Sequence, residues 1–336
     1  MRAEELLRPT AKGLYSPLGD FFIDPVSPVE RALITHGHAD HARAGHRRVM
    51  ASAETLAIMA ARYGPDFAEA TQEAAYGKAT TINGVSVTFH PAGHVLGSAQ
   101  IAVEAGGLRI VASGDYKRRP DPTCAPFVPI PCDIFITEAT FALPVFRHPD
   151  DRGEIAKLLT SLSQFPERTH LVGAYGLGKA QRVIALLRQA GYDAVIPIHG
   201  ALKTLCDLYA AHGIDLGPLV PATLEDRAKQ DFAGAVVLAP PSAIADKWAR
   251  RFADPLAAFA SGWMRIRQRA KQRGVELPLI ISDHADWDEL TQTITEIAPR
   301  EVWVTHGREE ALVRWCELAG IDARPLMLVG YEDESE

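Results

Sequence analysis

Residues 36 to 41 read His36-Gly37-His38-Ala39-Asp40-His41, three imidazoles and a carboxylate in six positions, directly after the apolar, β-branched run Ala32-Leu33-Ile34-Thr35. Imidazole nitrogen and carboxylate oxygen are ligands for zinc and its neighbours. A strand running into a tight turn can aim His36 and His38 at one ion and Asp40 and His41 at another. A polar loop that happens to be rich in histidine is the plainer alternative, but it leaves the downstream pattern unexplained. His94 follows the alternating run Val85-Ser86-Val87-Thr88-Phe89, Asp115 follows Leu108-Arg109-Ile110-Val111-Ala112, and His306 follows Val302-Trp303-Val304. Each run predicts a strand, and ligands at the carboxyl ends of several strands converge at one sheet edge.

This set resembles the metallo-β-lactamase superfamily, whose two-metal hydrolases use a His-x-His-x-Asp-His motif, a later His, a bridging Asp and a final His. The resemblance implies that His36, His38 and His94 hold one metal, that Asp40, His41 and His306 hold the second, and that Asp115 bridges. Glu138 in Phe135-Ile136-Thr137-Glu138-Ala139-Thr140 and His284 in Ile281-Ser282-Asp283-His284-Ala285-Asp286 resemble the added acidic and histidine motifs of the β-CASP nucleases. Taken alone, Glu138 reads as a solvated strand end and His284 as a packed or surface histidine. With the family, His284 protonates the leaving group, Glu138 orients it, and Asp40 joins them as a catalytic residue.

Over about residues 12 to 318 the chain is similar to the bacterial ligase-associated DNA exonucleases. The segments that carry this include Phe22-Ile23-Asp24-Pro25, Gly114-Asp115-Tyr116-Lys117, Gly178-Lys179-Ala180-Gln181 and Ser261-Gly262-Trp263-Met264. The resemblance implies a metal-dependent DNA exonuclease of repair end processing. Its two divalent ions would be zinc, with manganese as the alternative, and its substrate single-stranded or overhanging DNA. Functional association with an ATP-dependent DNA ligase and a helicase is implied as well. An RNA-processing β-CASP ribonuclease is the second reading and a small-molecule metallo-hydrolase the third. The implied fold class is α/β, a metallo-β-lactamase αββα sandwich with an inserted β-CASP-like cap domain.

Composition bounds these readings independently. A chain of 336 residues with 47% apolar content can bury a substantial core. No apolar run approaches the roughly 18 residues of a membrane span, and Met1-Arg2-Ala3-Glu4-Glu5 is charged where a signal peptide would be apolar. A cytoplasmic protein with no membrane contact is expected. Cys124, Cys132, Cys206 and Cys316 form no Cys-x-x-Cys pair, so buried thiols are expected in place of a thiolate site or a disulfide framework.

The pattern along the chain predicts three segments. Residues 1–148 form a first metal-binding part, with the strand Phe21-Phe22-Ile23 and a helix from Ser52, its cap, to Tyr63. Asp24 there is either an acceptor that braces the metal loop or only a turn former before Pro25. Residues 149–276 alternate helix and strand: a helix over 154–165, the strand His170-Leu171-Val172, a helix over 179–190 and the strand Ala194-Val195-Ile196. That order implies a small parallel sheet, which matches the cap. Residues 277–336 return to the metal lobe through Leu279-Ile280-Ile281, a helix over 288–297 and the strand before His306, and end in an acidic tail, Glu332 to Glu336, expected to fray.

The formal charge of −7 hides a local excess: residues 247 to 273 hold eight basic side chains against Asp254, a net +7, leaving −14 on the remainder. Such a face can attract phosphate while carboxylates elsewhere hold metal. Arg265, Arg269 and Arg273 stand at i, i+4 and i+8, which predicts one helical stripe for the DNA backbone, although a solvated helix face has the same spacing. In Ala174-Tyr175-Gly176-Leu177-Gly178-Lys179 the glycines predict a strand-to-helix junction whose amides, with Lys179, could take a phosphate. An exposed lysine on a tight turn is the alternative. Tyr175 and Trp263 could stack bases or pack internally.

Overall fold

Val85-Ser86-Val87-Thr88-Phe89 becomes the strand Val85–Pro91 in a computed structural model that describes residues 1–222 and 232–326. Its alternation sends successive side chains to opposite faces. The neighbouring strands repeat the division more fully: Ile110, Ala112, Ile134 and Ile136 enter one core, while Val111 and Phe135 enter another. A sheet buried on both faces needs apolar residues at nearly every position, which is why Ile110-Val111-Ala112 and Ile134-Phe135-Ile136 read as continuous apolar runs.

The chain divides into two compact units, Met1–Arg147 together with the described residues from His284 onward, and His148–Asp283. The fold is mixed α/β, and three sheets form among the described residues. In the first unit one sheet runs in the order Arg8–Thr10, Gly13–Ser16, Phe21–Ile23, Arg31–Leu33, His46–Ala51, Ala68–Glu73. The other runs Asp322–Pro325, Glu301–Gly307, Ile134–Ala139, Leu108–Ala112, Ala99–Ala105, Val85–Pro91, Thr80–Ile82. Leu14, Phe21, Leu33 and Met50 of the first sheet share a core with Val87, Phe89, Ile101 and Trp303 of the second. The far face of the first sheet packs Val49 and Ala51 against Leu56 and Met59 of the helix Ala53–Tyr63. The far face of the second packs Val302 and Val304 against Leu290 and Ile294 of the helix Trp287–Ile297 and Leu312 of the helix Glu309–Leu318.

Local signals set the helix starts. Ser52 Oγ accepts the Thr55 amide at 3.1 Å, as its place before the apolar period predicts. Asp286 and Glu289 form a reciprocal capping box at the start of Trp287–Ile297, each side chain accepting the other's amide at 3.1 Å.

The second unit holds a six-stranded parallel sheet in the order Leu219–Pro221, Ile196–Ile198, Val236–Ala239, His170–Gly173, Leu256–Ala260, Leu277–Leu279. Two expectations are corrected here. The strand expected at Ala194 begins at Ile196, because Ala194 and Val195 precede the ladder with Leu219–Pro221. The segment from Leu277 does not resume the first unit: Leu277 and Leu279 pair with Ala258 and Ala260, and the division falls between Asp283 and His284. Among the described residues no helix is long and apolar enough to cross a membrane. The acidic tail, 332–336, lies outside the described residues.

Burial pushes the thiols of Cys132 up to about 12 and of Cys206 and Cys316 up to about 11, so all three keep their protons at neutral pH. Cys206 and Cys316 are buried as expected, but Cys124 and Cys132 are only partly so.

Candidate metal centre

The turn after Arg31–Leu33 owes its shape to close packing. A Cβ on Gly37 would stand 2.5 Å from the Ile58 side chain, so only glycine lets the helix Ala53–Tyr63 lie against it. Arg62 of that helix donates to the Gly37 carbonyl at 2.6 Å. His94 enters from the turn after Val85–Pro91, where Ser98 Oγ accepts the amides of His94 and Val95 at 3.1 and 3.2 Å. His306 is reached through an irregularity between parallel strands: Glu138 pairs with Thr305 and Ala139 with Gly307. His306 is therefore the extra residue, in left-handed backbone at φ 56°, and the bulge re-aims its ring.

These elements bring the ligand-type residues together. His38 Nδ1 lies 3.1 Å from His36 Nε2 and 3.0 Å from His94 Nε2. Asp115 Oδ2 lies 3.4 Å from His36 Nε2, 3.5 Å from His41 Nε2 and 3.8 Å from His94 Nε2. His41 Nε2 is 3.7 Å from Asp40 Oδ2, and the rings of His41 and His306 are 5.1 Å apart. Two donors about 2.1 Å from a shared ion at the tetrahedral angle stand about 3.4 Å apart, so this spacing fits ligands around an ion. His36, His38, His94 and Asp115 could hold a metal ion, with one donor atom from each lying within 4.8 Å of the others. Asp115 Oδ2 also reaches His41, which puts one oxygen between both groups of imidazoles.

Asp24 orients two of the rings. Its Oδ1 accepts the Thr35 amide at 2.7 Å, while Oδ2 accepts the Thr35 hydroxyl at 2.6 Å and the His41 Nδ1–H at 2.8 Å. The Thr35 proton being given to Asp24, its oxygen is left to accept from His36 Nδ1, 3.0 Å away. Both rings thus present Nε2 towards Asp115, and Asp24 is a brace and not only a turn former. It holds this position in left-handed backbone, φ 44°. Asp24→Ala is expected to weaken metal binding about 10- to 100-fold, read by chelator competition. Unchanged affinity would reduce the brace to a packing feature.

Electrostatics follow from burial and charge. Burial holds the pKa values of His36 and His94 well below the usual imidazole range and lowers that of His306 to about 4, leaving neutral rings with lone pairs to donate. Burial also acts against charge on His41, but the carboxylates of Asp115 and Asp40 outweigh it and raise that pKa well above normal. Burial would raise Asp115, yet His41 and His36 hold its carboxyl well below the usual range.

Beside this cluster stands a second arrangement. Glu138 Oε2 is 2.9 Å from His284 Nδ1 and accepts the Thr140 hydroxyl at 2.6 Å, while Oε1 accepts the Tyr116 amide at 2.7 Å. Burial, reinforced by the Asp115 charge, raises the Glu138 pKa against the pull of His284. The His284 and His94 ring centroids are 4.7 Å apart. Sequence reasoning assigned nothing to Thr140 or to the Thr35 hydroxyl. The Thr35 hydroxyl acts through Asp24, which the fold brings to it, whereas Thr140 bonds Glu138 only two residues away.

The expected nucleic-acid residues are placed otherwise. Lys179 is 4% exposed, its ammonium 3.0 Å from Asp283 Oδ2 and 3.1 Å from the Ile281 carbonyl, so it is not a lysine presented on a surface turn. The junction amides are also engaged: Gly178 N–H donates to Gln181 Oε1, Lys179 N–H to the Leu177 carbonyl and Ala180 N–H to the Tyr175 carbonyl. The basic run is not one helix, because the buried strand Leu256–Ala260 interrupts it and the helix Arg267–Gln272 is short. Ile266 is extended at φ −92° and ψ 101°, so Arg265, which ends a 3-10 turn, leaves the predicted stripe. Arg269 and Arg273 remain one turn apart, the Arg269 guanidinium 4.0 Å from the Trp263 ring centroid and that of Arg273 5.5 Å from the Phe259 ring centroid. Tyr175 and Trp263 pack against the cluster of Phe259, Met264 and Ala270.

No family model matches the chain. It is similar to a protein named probable DNA ligase from Opitutus terrae, 27% identical over 319 residues that make up 93% of this chain and 30% of that protein. It is similar to endoribonuclease ysh1 of Emericella nidulans, 35% identical over 114 residues, covering 32% of this chain and 13% of that one. Subunit 3 of the cleavage and polyadenylation specificity factor of Dictyostelium discoideum is 31% identical over 123 residues, 35% of this chain and 16% of its own length. The chain thus spans less than a third of the length of these relatives. The crystal structure of a protein of unknown function from Enterococcus faecalis V583 shares the fold, with TM-score 0.52 and 13% identity over 82% of this chain and 74% of that one. These similarities agree with the resemblance to the β-CASP-like branch of the metallo-β-lactamase superfamily.

Proposed function

We propose that this chain is a metal-dependent phosphodiesterase that degrades DNA from an end in repair, built as a metallo-β-lactamase αββα sandwich with a β-CASP-like cap formed by the second unit. The observation that carries it is Asp115 Oδ2 standing between His36 and His41, with the Glu138–His284 pair alongside. His36, His38 and His94 would hold one ion and Asp40, His41 and His306 another, with Asp115 shared; the nitrogen and oxygen donors suit zinc, and manganese is the alternative. Bound divalent ions supply Lewis acidity and a nucleophile at neutral pH. The other half of the reaction belongs to side chains. Glu138 takes the His284 Nδ1–H and balances the charge of the ring when both nitrogens carry protons. As the P–O bond breaks, the Nε2 proton passes to the leaving oxygen.

DNA is favoured over RNA because the ligase-named protein aligns with 93% of the chain, while the endoribonuclease aligns with 32%. Functional association with an ATP-dependent ligase and a helicase belongs to the same reading. The metal-loaded protein is expected to degrade linear single-stranded or overhanging DNA stepwise, with 5′ entry, to leave circular single strands intact, and to stop on chelation. Labelled linear and circular DNA and RNA of one sequence, compared across zinc and manganese, provide the test. Rapid cutting of the circle would make it an endonuclease, and preference for RNA would favour the ribonuclease reading.

A further inference from the structure

Four consecutive residues just before His284 are each held by a buried or half-buried charged side chain. Ile280 N–H donates to Glu154 Oε2 at 2.7 Å, and Lys179 Nζ donates to the Ile281 carbonyl at 3.1 Å. Arg182 donates to the Ser282 carbonyl and reaches Asp283 Oδ1 at 3.3 Å, while its other terminal nitrogen pairs with Asp151. Asp283 Oδ2 takes Lys179 at 3.0 Å. Lys179 and Arg182 stand one turn apart on the helix Lys179–Gln189, and Asp151 and Glu154 one turn apart on the helix Asp151–Gln164. Arg182 is wholly buried, and Asp151, Asp283 and Lys179 nearly so.

Buried ion pairs add little stability over apolar packing of the same volume, because desolvation offsets their attraction. They do fix direction, since each donor must meet its acceptor within hydrogen-bonding geometry. A single apolar anchor would hold the segment Ile280–Asp283 in place, but two cations bound to successive carbonyls and to both oxygens of Asp283 also set the peptide planes. The next residue along the chain is His284. We propose that the Lys179–Arg182–Asp151–Asp283 network is a positioning device for His284, fixing the backbone of Ile280–Asp283 from which His284 continues. The proposal rests on His284 acting as the proton donor, and it gives Lys179 a role other than phosphate contact.

The test compares Asp283→Asn with the charge-balanced double variant Lys179→Met/Asp283→Asn, which removes one charge of each sign and keeps the network neutral. Both are assayed as metal-loaded full chains on DNA and on a p-nitrophenyl ester of thymidine phosphate, whose leaving group needs no proton. Displacement of His284 is expected to lower kcat on DNA about 10- to 100-fold with little change in KM, to leave bound metal unchanged, and to alter the p-nitrophenyl rate by less than about twofold. Adding Asp283→Asn to His284→Ala should cost nothing further, because the two act through one group. Equal losses on both substrates, or additive losses in the Asp283→Asn/His284→Ala double variant, would overturn the positioning role and leave a network that serves folding alone. If His284→Ala itself fails to discriminate the substrates, the proton-donor reading falls and this proposal with it. If His284→Ala discriminates and the network variants do not, only the proposal falls.

Discussion

Asp115→Ala is expected to remove bound metal and to lower nuclease activity by at least about 10³-fold, a barrier increase of about 4 kcal/mol. Its Oδ2 lies within 3.8 Å of three imidazole nitrogens, those of His36, His41 and His94. Removing it takes a donor from both groups of imidazoles at once. A change at His38 removes a donor from one group only, so Asp115→Ala should show the greater loss of metal. Elemental analysis of the purified variant decides the matter: two equivalents retained would refute the shared position.

His284→Ala should do the opposite to metal and nearly as much to turnover. Its ring is bound through Nδ1 to Glu138, and it is not among the four residues His36, His38, His94 and Asp115, although with Asp115 and Glu138 it forms a second group that could hold an ion. Both metal equivalents should remain while kcat on DNA falls about 10²- to 10⁴-fold, and an ester with a good leaving group should recover most of the loss. Glu138→Gln should shift turnover in the same direction, since an amide still orients the ring but cannot balance its charge. Loss of one metal equivalent in His284→Ala would make the residue a ligand, and equal losses on the two substrates would end its role as proton donor.

The parts of this chain that were legible in sequence are those whose causes are local. His36, His38, Asp40 and His41 share one turn, so their spacing alone says they can meet, and the strand runs before His94, Asp115 and His306 predict where each ligand emerges. Ser52 marks a helix start because its partner, Thr55, is three residues away. The Glu138–His284 pair spans 146 residues and was reached only through family resemblance, because no local pattern encodes so distant a contact.

The basic segment shows where local rules fail. The spacing of Arg265, Arg269 and Arg273 satisfies a helix, yet Leu256–Ala260 is drawn into the parallel sheet by Ala258 and Ala260, and Ile266 turns extended to leave the 3-10 segment. Strand pairing thus divides the basic run, and the extended backbone at Ile266 separates Arg265 from the helix Arg267–Gln272.

Sequence by itself determined the candidate ligand types, their order along the chain and the strands that precede them, because side-chain chemistry and short-range periodicity are properties of neighbouring residues. Only the tertiary structure decided that Asp24 orients His36 and His41, that His306 is aimed by a bulge, and that Lys179 faces Asp283 and not solvent. Lys179 meets Ile281 across 102 residues, and whether a lysine is solvated or buried depends on which carboxylate the fold carries to it.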